Sequence, residues 1–139
     1  MNDARGESVR WLVAAREDLA YAQHAGVSGF NAPACLFAQQ AAEKAVKAVH
    51  YGQGARGVIG HSVRGLIEKL SPREASLDAL LEAARELDLF YIPTRYPNGL
   101  ESGTPGKVFS QQQSERTLDL ATRIVDAAAA VLDPHGGSR

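Results

Sequence analysis

The chain has 139 residues, with 15 lysines and arginines against 16 acids, a near-balance that excludes a polycation coating nucleic acid and makes any anion site local. That length predicts a single domain over residues 1–139 with its core at about 8–132, burying roughly two-thirds of its unfolded surface without a staple. Cys35 is the lone cysteine, which excludes an internal disulfide and every cysteine-based zinc template and fits a reducing cytoplasm; no metal or cofactor is expected, with a nucleotide as a candidate ligand.

The hydrophobic period is helical almost everywhere. Met1 to Glu7 lacks an apolar core for export. From about Ser8 to Gly26 an apolar stripe runs through Val9, Leu12, Val13, Leu19, Ala20 and Ala22, with Glu17 and Asp18 on the wet side. Asn31 is placed to cap a second helix, with Pro33 in its first turn, that runs to about Tyr51 before Gly52 and Gly54 end it. Its small residues, from Ala34 to Ala48, let another helix approach closely. Gly52 to Gly60 is a loop, and Ser62 is the N-cap of a third helix carrying Val63, Leu66, Ile67 and Leu70. Ser71-Pro72-Arg73-Glu74 has the offsets of a capping box, predicting a fourth helix from near Pro72 that ends before Pro93.

Ile92 to about Lys107 holds three prolines and three glycines with no period, longer than most connections and the usual mark of a functional loop. A last helix spans Val108 to Leu132 with Leu118, Ala121, Val125, Ala128 and Leu132 on one face; Pro134 stops it and residues 133–139 form a tail. No apolar run approaches the ~18 residues of a membrane span. The expectation is an all-α, up-and-down bundle of four to five helices, with a long loop before the last, in a cytoplasmic protein.

Two stretches carry the candidate chemistry. In the helix Phe37 to Ala48, Gln40, Glu43, Lys44 and Lys47 fall at i, i+3, i+4 and i+7, a polar stripe on a small-residue helix. Downstream, Tyr91-Ile92-Pro93-Thr94-Arg95-Tyr96-Pro97 reads as a rigid, cationic, aromatic loop. Arg95 offers a planar fork to two phosphate oxygens; its bland alternative is a pairing with Asp88 or Glu101 that holds the loop. Tyr91 and Tyr96 can stack a base or pack as a lid. Lys44 and Lys47 add positive field, against simple pairing of Glu43 with Lys47 on a solvated face. His61 either touches a ligand or hydrogen-bonds the neighbouring turn, and Gln40 faces either a dimer partner or the loop. Arg56 and His61 match Arg-x(4)-His by spacing, but about one such match is expected by chance in this composition, so the match carries no weight.

Taken in order, Trp11-Leu12, Asp18-Leu19, Gln40 to Ala48, Gly60-His61-Ser62, Leu87-Asp88 and Tyr91 to Pro97 resemble the HEPN domain, named for higher eukaryotes and prokaryotes nucleotide-binding. The resemblance spans roughly residues 8 to 132. It implies a helical bundle that dimerises and is often encoded beside a small nucleotidyltransferase, with which it can form a toxin–antitoxin pair. Some members of the wider family are metal-independent RNases using Arg-x(4–6)-His at the start of the last major helix. This sequence departs from that pattern: Arg95 is followed by Tyr96-Pro97-Asn98-Gly99-Leu100-Glu101, and the next histidine is His135 in the tail.

The expected function is therefore a homodimeric module that binds a nucleotide or partners a small nucleotidyltransferase, more plausibly a binder than an enzyme. Alternatives are an RNase toxin acting through Arg95 with Tyr96, whose ordinary pKa of about 10 makes it a poor base, and a purely structural interaction module. RNA is a further candidate ligand, and no membrane contact is expected.

Overall fold

The computed structural model describes residues 3–134; His135 and the rest of the expected tail beyond Pro134 lie outside the described residues. Among those described, the elements are α1 (Ala4–Val27), α2 (Asn31–Gly52), α3 (Val63–Glu68), α4 (Ala75–Asp78), α5 (Leu81–Asp88), a 3-10 turn (Pro97–Gly99), α6 (Pro105–Val108) and α7 (Gln111–Leu132), with no strand. The all-α expectation holds. None of the described helices is long and apolar enough to cross a membrane.

Three long helices make the frame. α1 starts ahead of Ser8 because the Asp3 carboxylate accepts the Gly6 N–H at 2.9 Å and caps it. α2 runs back along α1: Trp11 stacks on Tyr51 with centroids 5.2 Å apart, Asp18 meets Lys44 at 2.7 Å, and Tyr21 sets its edge against Phe37 at 5.5 Å. Gly26 at the end of α1 faces Ser114 at the start of α7, whereas Gly52 at the end of α2 faces both Leu132 and Ser8. α7 is thus parallel to α2 and antiparallel to α1, and residues 53–110 form the excursion that carries the chain from the Gly52 end of the frame back to the Gly26 end.

The alanine face of α2 lies at the centre of this frame. Ala34, Ala38, Ala41, Ala42, Ala45 and Ala48 are all fully buried, and the small side chains allow α1 and α7 to pack close. Val46, Val49, Ile67, Leu77, Leu87, Leu120 and Ile124 complete the core. These alanines are buried by the close approach of neighbouring helices within one chain.

Other expectations are corrected. Asn31 does not cap α2; Phe30 holds that position without a side-chain bond, and Asn31 Nδ2 instead donates to the Phe109 carbonyl at 3.1 Å. The Ser71 capping box does not form, because Gln53 clamps the segment: its Nε2 donates to the Pro72 carbonyl at 2.8 Å and its Oε1 accepts the Ser71 N–H at 3.1 Å. The predicted fourth helix therefore starts at Ala75 and breaks at Ala79–Leu80 into α4 and α5. The last helix begins at Gln111, where Ser110 and Gln113 form the capping box. In α1, Asp18 is buried and the line facing α2 is Ser8, Ala15 and Ala22, so Val9 and Val13 are left 49% and 50% exposed.

Candidate functional site

Gln39, Glu43 and Lys47 follow one another at i, i+4 and i+8 on α2 and so share one line of its surface. Glu43 and Lys47 are 8% and 7% exposed, and Lys47 Nζ donates to Glu43 Oε2 at 3.1 Å. The pair is buried, not solvated as its simplest reading required. Trp11 of α1 covers it, with Lys47 Nζ 5.8 Å from the indole ring.

The same Glu43 oxygen lies 3.4 Å from His61 Nδ1, and Gln39 Nε2 donates to the His61 carbonyl at 3.0 Å. Gly60 reaches this point at φ +125°, a conformation that side chains rarely adopt. On the far side of His61, Ser62 caps α3 by accepting the Gly65 N–H at 2.9 Å. A second cap comes from the end of α5: Asp88 accepts the Ser62 hydroxyl and the Val63 N–H, each at 2.7 Å, and the Arg64 N–H at 3.2 Å. His61 is thereby held between α2 and α5.

The turn after α5 completes the cluster. The Tyr91 ring stacks on His61 with centroids 4.8 Å apart and planes inclined by 20°. The Arg95 guanidinium carbon lies 4.0 Å from the centroid of that same ring, and Arg95 Nη1 donates to the Tyr91 carbonyl at 2.8 Å. Thr94, buried, anchors the turn by donating its hydroxyl to the Phe90 carbonyl. Arg95 makes no ion pair among the described residues. The loop-holding role expected through Asp88 or Glu101 is absent, since Asp88 is committed to α3.

The structure thus assembles Glu43, Lys47, His61, Tyr91 and Arg95, and separates the remaining candidates from them. Lys44 turns to the buried Asp18 of α1, so the polar stripe of α2 splits between two neighbours. Tyr96 is half exposed, and Gln40 makes no side-chain hydrogen bond among the described residues. Arg56 is exposed, and no hydrogen bond or ring contact joins it to His61. Sequence reasoning missed Gln39, although its i, i+4 relation to Glu43 was a usable signal. Trp11 was assigned no role, and Asp88 was considered only as a partner for Arg95, whereas it caps α3. Gln39 Oε1 and Glu43 Oε1 are buried and take no donor from the described residues, leaving acceptor capacity inside the cluster. No group of histidine, cysteine and acidic side chains among the described residues is suited to a metal ion.

Chemically the cluster presents a braced guanidinium, an imidazole that is 61% exposed at its side chain and an aromatic platform between them, backed by a buried carboxylate–ammonium pair. The family model of the HEPN domain matches residues 8–131. The chain belongs to the HEPN domain family. Among solved structures, this HEPN chain is similar to TT1696 from Thermus thermophilus, at TM-score 0.80 and 39% identity over 93% of this chain and 98% of that one. It is also similar to ST0689, an archaeal HEPN homologue, at TM-score 0.75 and 31% identity over 91% and 98% of the two chains. A HEPN domain protein from Thermotoga maritima, tm0613, aligns at TM-score 0.70 and 36% identity over 88% and 97%. A search of curated proteins gives no match. Within the HEPN fold, the arginine and histidine of this cluster come from separate segments and meet through Tyr91, not through an Arg-x(4–6)-His run.

Proposed function

We propose that this HEPN domain binds a nucleotide through its phosphates, with Arg95 as the principal anion ligand. The observation that carries the reading is that Arg95 is held against Tyr91 by a ring contact and a hydrogen bond while no carboxylate among the described residues pairs with it. A guanidinium fixed in this way has already lost much of its side-chain freedom, and its remaining N–H groups keep a fork for two phosphate oxygens. His61 adds a hydrogen-bonding group on the same platform. Family membership supports a small nucleotidyltransferase as the partner of such a module in a toxin–antitoxin-type pair, and that partner would bring a nucleotide to this site.

A second reading rests on the meeting of His61 and Arg95 on one ring. An arginine that holds a phosphodiester beside an imidazole that moves a proton at the ribose 2′-hydroxyl is the minimum for metal-independent RNA cleavage. In that chemistry His61 takes the part assigned above to Tyr96.

Calorimetric titration of ATP and GTP at low salt, with Arg95→Ala and His61→Ala alongside, tests the first reading. Saturable binding that weakens at least about tenfold in Arg95→Ala, with the melting temperature unchanged, is expected. No heat with either nucleotide overturns it. RNA incubated with the protein in EDTA tests the second, which requires cleavage that both substitutions abolish.

A further inference from the structure

Tyr91 is covered on both sides. The His61 imidazole stacks on it with centroids 4.8 Å apart and planes inclined by 20°, and the Arg95 guanidinium carbon lies 4.0 Å from the same ring centre. Two planar groups that close to the centre of one ring overlap if they share a face, so each takes its own. No face of Tyr91 is then left for a base. The orphaned acceptors nearby, Gln39 Oε1 and Glu43 Oε1, are buried and lie out of reach of a base edge. Tyr96, next to Arg95, is 51% exposed and makes no ring contact among the described residues. A loose ring of that kind stacks any base, because every base has a π-face.

We propose, on the nucleotide reading above, that the site recognises the phosphate chain of its ligand and not the base: its ligand class is a chain of two or three linked phosphates, held at one end by Arg95 and at the other by His61. With the Tyr91 ring between them, the two groups stand roughly 7–9 Å apart. Nδ1 of His61 faces Glu43, so Nε2 is the nitrogen left for the ligand, as a donor when the imidazole carries its second proton. After a hydrogen bond of about 2.9 Å at each end, the ligand must still bridge several ångströms. The oxygens of one phosphate are too close together for that, whereas those at the two ends of a diphosphate or triphosphate are not.

The acids around the site oppose such a chain only weakly. Glu43 is balanced by Lys47, whose Nζ lies 3.1 Å from its Oε2. Asp88 spends both carboxylate oxygens on the Ser62 hydroxyl and on N–H groups of α3. The charge left over is that of Arg95.

Calorimetric titration of the full chain at low salt with ATP, GTP, CTP, AMP and inorganic triphosphate tests the proposal. The three nucleoside triphosphates are expected to bind within about threefold of one another and inorganic triphosphate within about tenfold of ATP, with AMP weaker than ATP by about tenfold or more. His61, 61% exposed at its side chain, can be truncated without opening the core. His61→Ala is expected to bring ATP down to the affinity of AMP and to leave AMP within about threefold of its wild-type value, whereas Arg95→Ala weakens both. AMP binding as tightly as ATP, or equal losses for the two in His61→Ala, overturns the proposal. So does inorganic triphosphate that fails to bind where the nucleotides succeed, or a preference of more than about tenfold for one base. In those cases binding that is still lost in Arg95→Ala keeps the nucleotide reading in place, whereas no heat from any of the five ligands overturns both.

Discussion

His61 lies on Tyr91 with ring centroids 4.8 Å apart, and that contact joins two parts of the chain that sequence alone kept separate. Tyr91 is more than a lid: its ring receives the imidazole and the guanidinium, and its carbonyl accepts the Arg95 hydrogen bond. The hydroxyl takes no part in these contacts. Tyr91→Phe is accordingly expected to keep nucleotide affinity within about threefold, whereas Tyr91→Ala removes the platform and weakens binding roughly tenfold. Calorimetry on the two variants checks this. Equal losses in both would place the hydroxyl, not the ring, at the ligand.

The Glu43–Lys47 pair makes the second prediction. Both side chains are about nine-tenths buried, and removing one partner leaves an uncompensated charge inside the bundle at a cost of about 3–5 kcal/mol. Lys47→Met and Glu43→Leu are each expected to lower the unfolding free energy measured by urea titration by that order. The double variant is expected to recover most of the loss, because two apolar side chains of similar volume need no partner. Its nucleotide binding still falls, since His61 loses the carboxylate beside its Nδ1. Single losses below about 1 kcal/mol would mean that water reaches the pair.

The fold was legible where the sequence carries period and caps. The alanine periodicity of α2, the Ser62 cap and the irregular stretch after Ile92 all lie where the pattern put them. What escaped depends on partners distant in the chain. Gln53 unmakes the local capping box at Ser71 by taking the backbone groups on either side of it. Asp88 caps α3 from the end of another helix. In the site, spacing at i, i+3, i+4 and i+7 could not tell that Lys44 would meet Asp18 while Lys47 met Glu43, because α2 has a neighbour on each side and the sequence does not state which face each one takes. The stacking of His61 on Tyr91 left no trace in spacing, since His61 meets the local Tyr91–Arg95 pair only when Asp88 draws the start of α3 to the end of α5.

A last prediction concerns acid. Glu86 at the end of α5 accepts two hydrogen bonds from Arg116 of α7, from Nε at 2.9 Å and from Nη2 at 3.0 Å. Those bonds, helped by the charges of Arg116 and Arg85 and opposed by slight burial, hold the Glu86 carboxyl below its ordinary value. A carboxyl with a depressed folded-state pKa binds fewer protons folded than unfolded at acid pH. Its contribution is therefore present above the ordinary glutamate value of about 4.3 and disappears as pH falls through the depressed one. Thermal melts of the wild type and Glu86→Gln are expected to differ by a small constant amount near neutrality, with the wild type higher. The gap is expected to close as pH drops below about 4, and to shrink with added salt at neutral pH because the pair is exposed. A gap that persists into strong acid would assign the stabilisation to packing of the side chain and not to its charge.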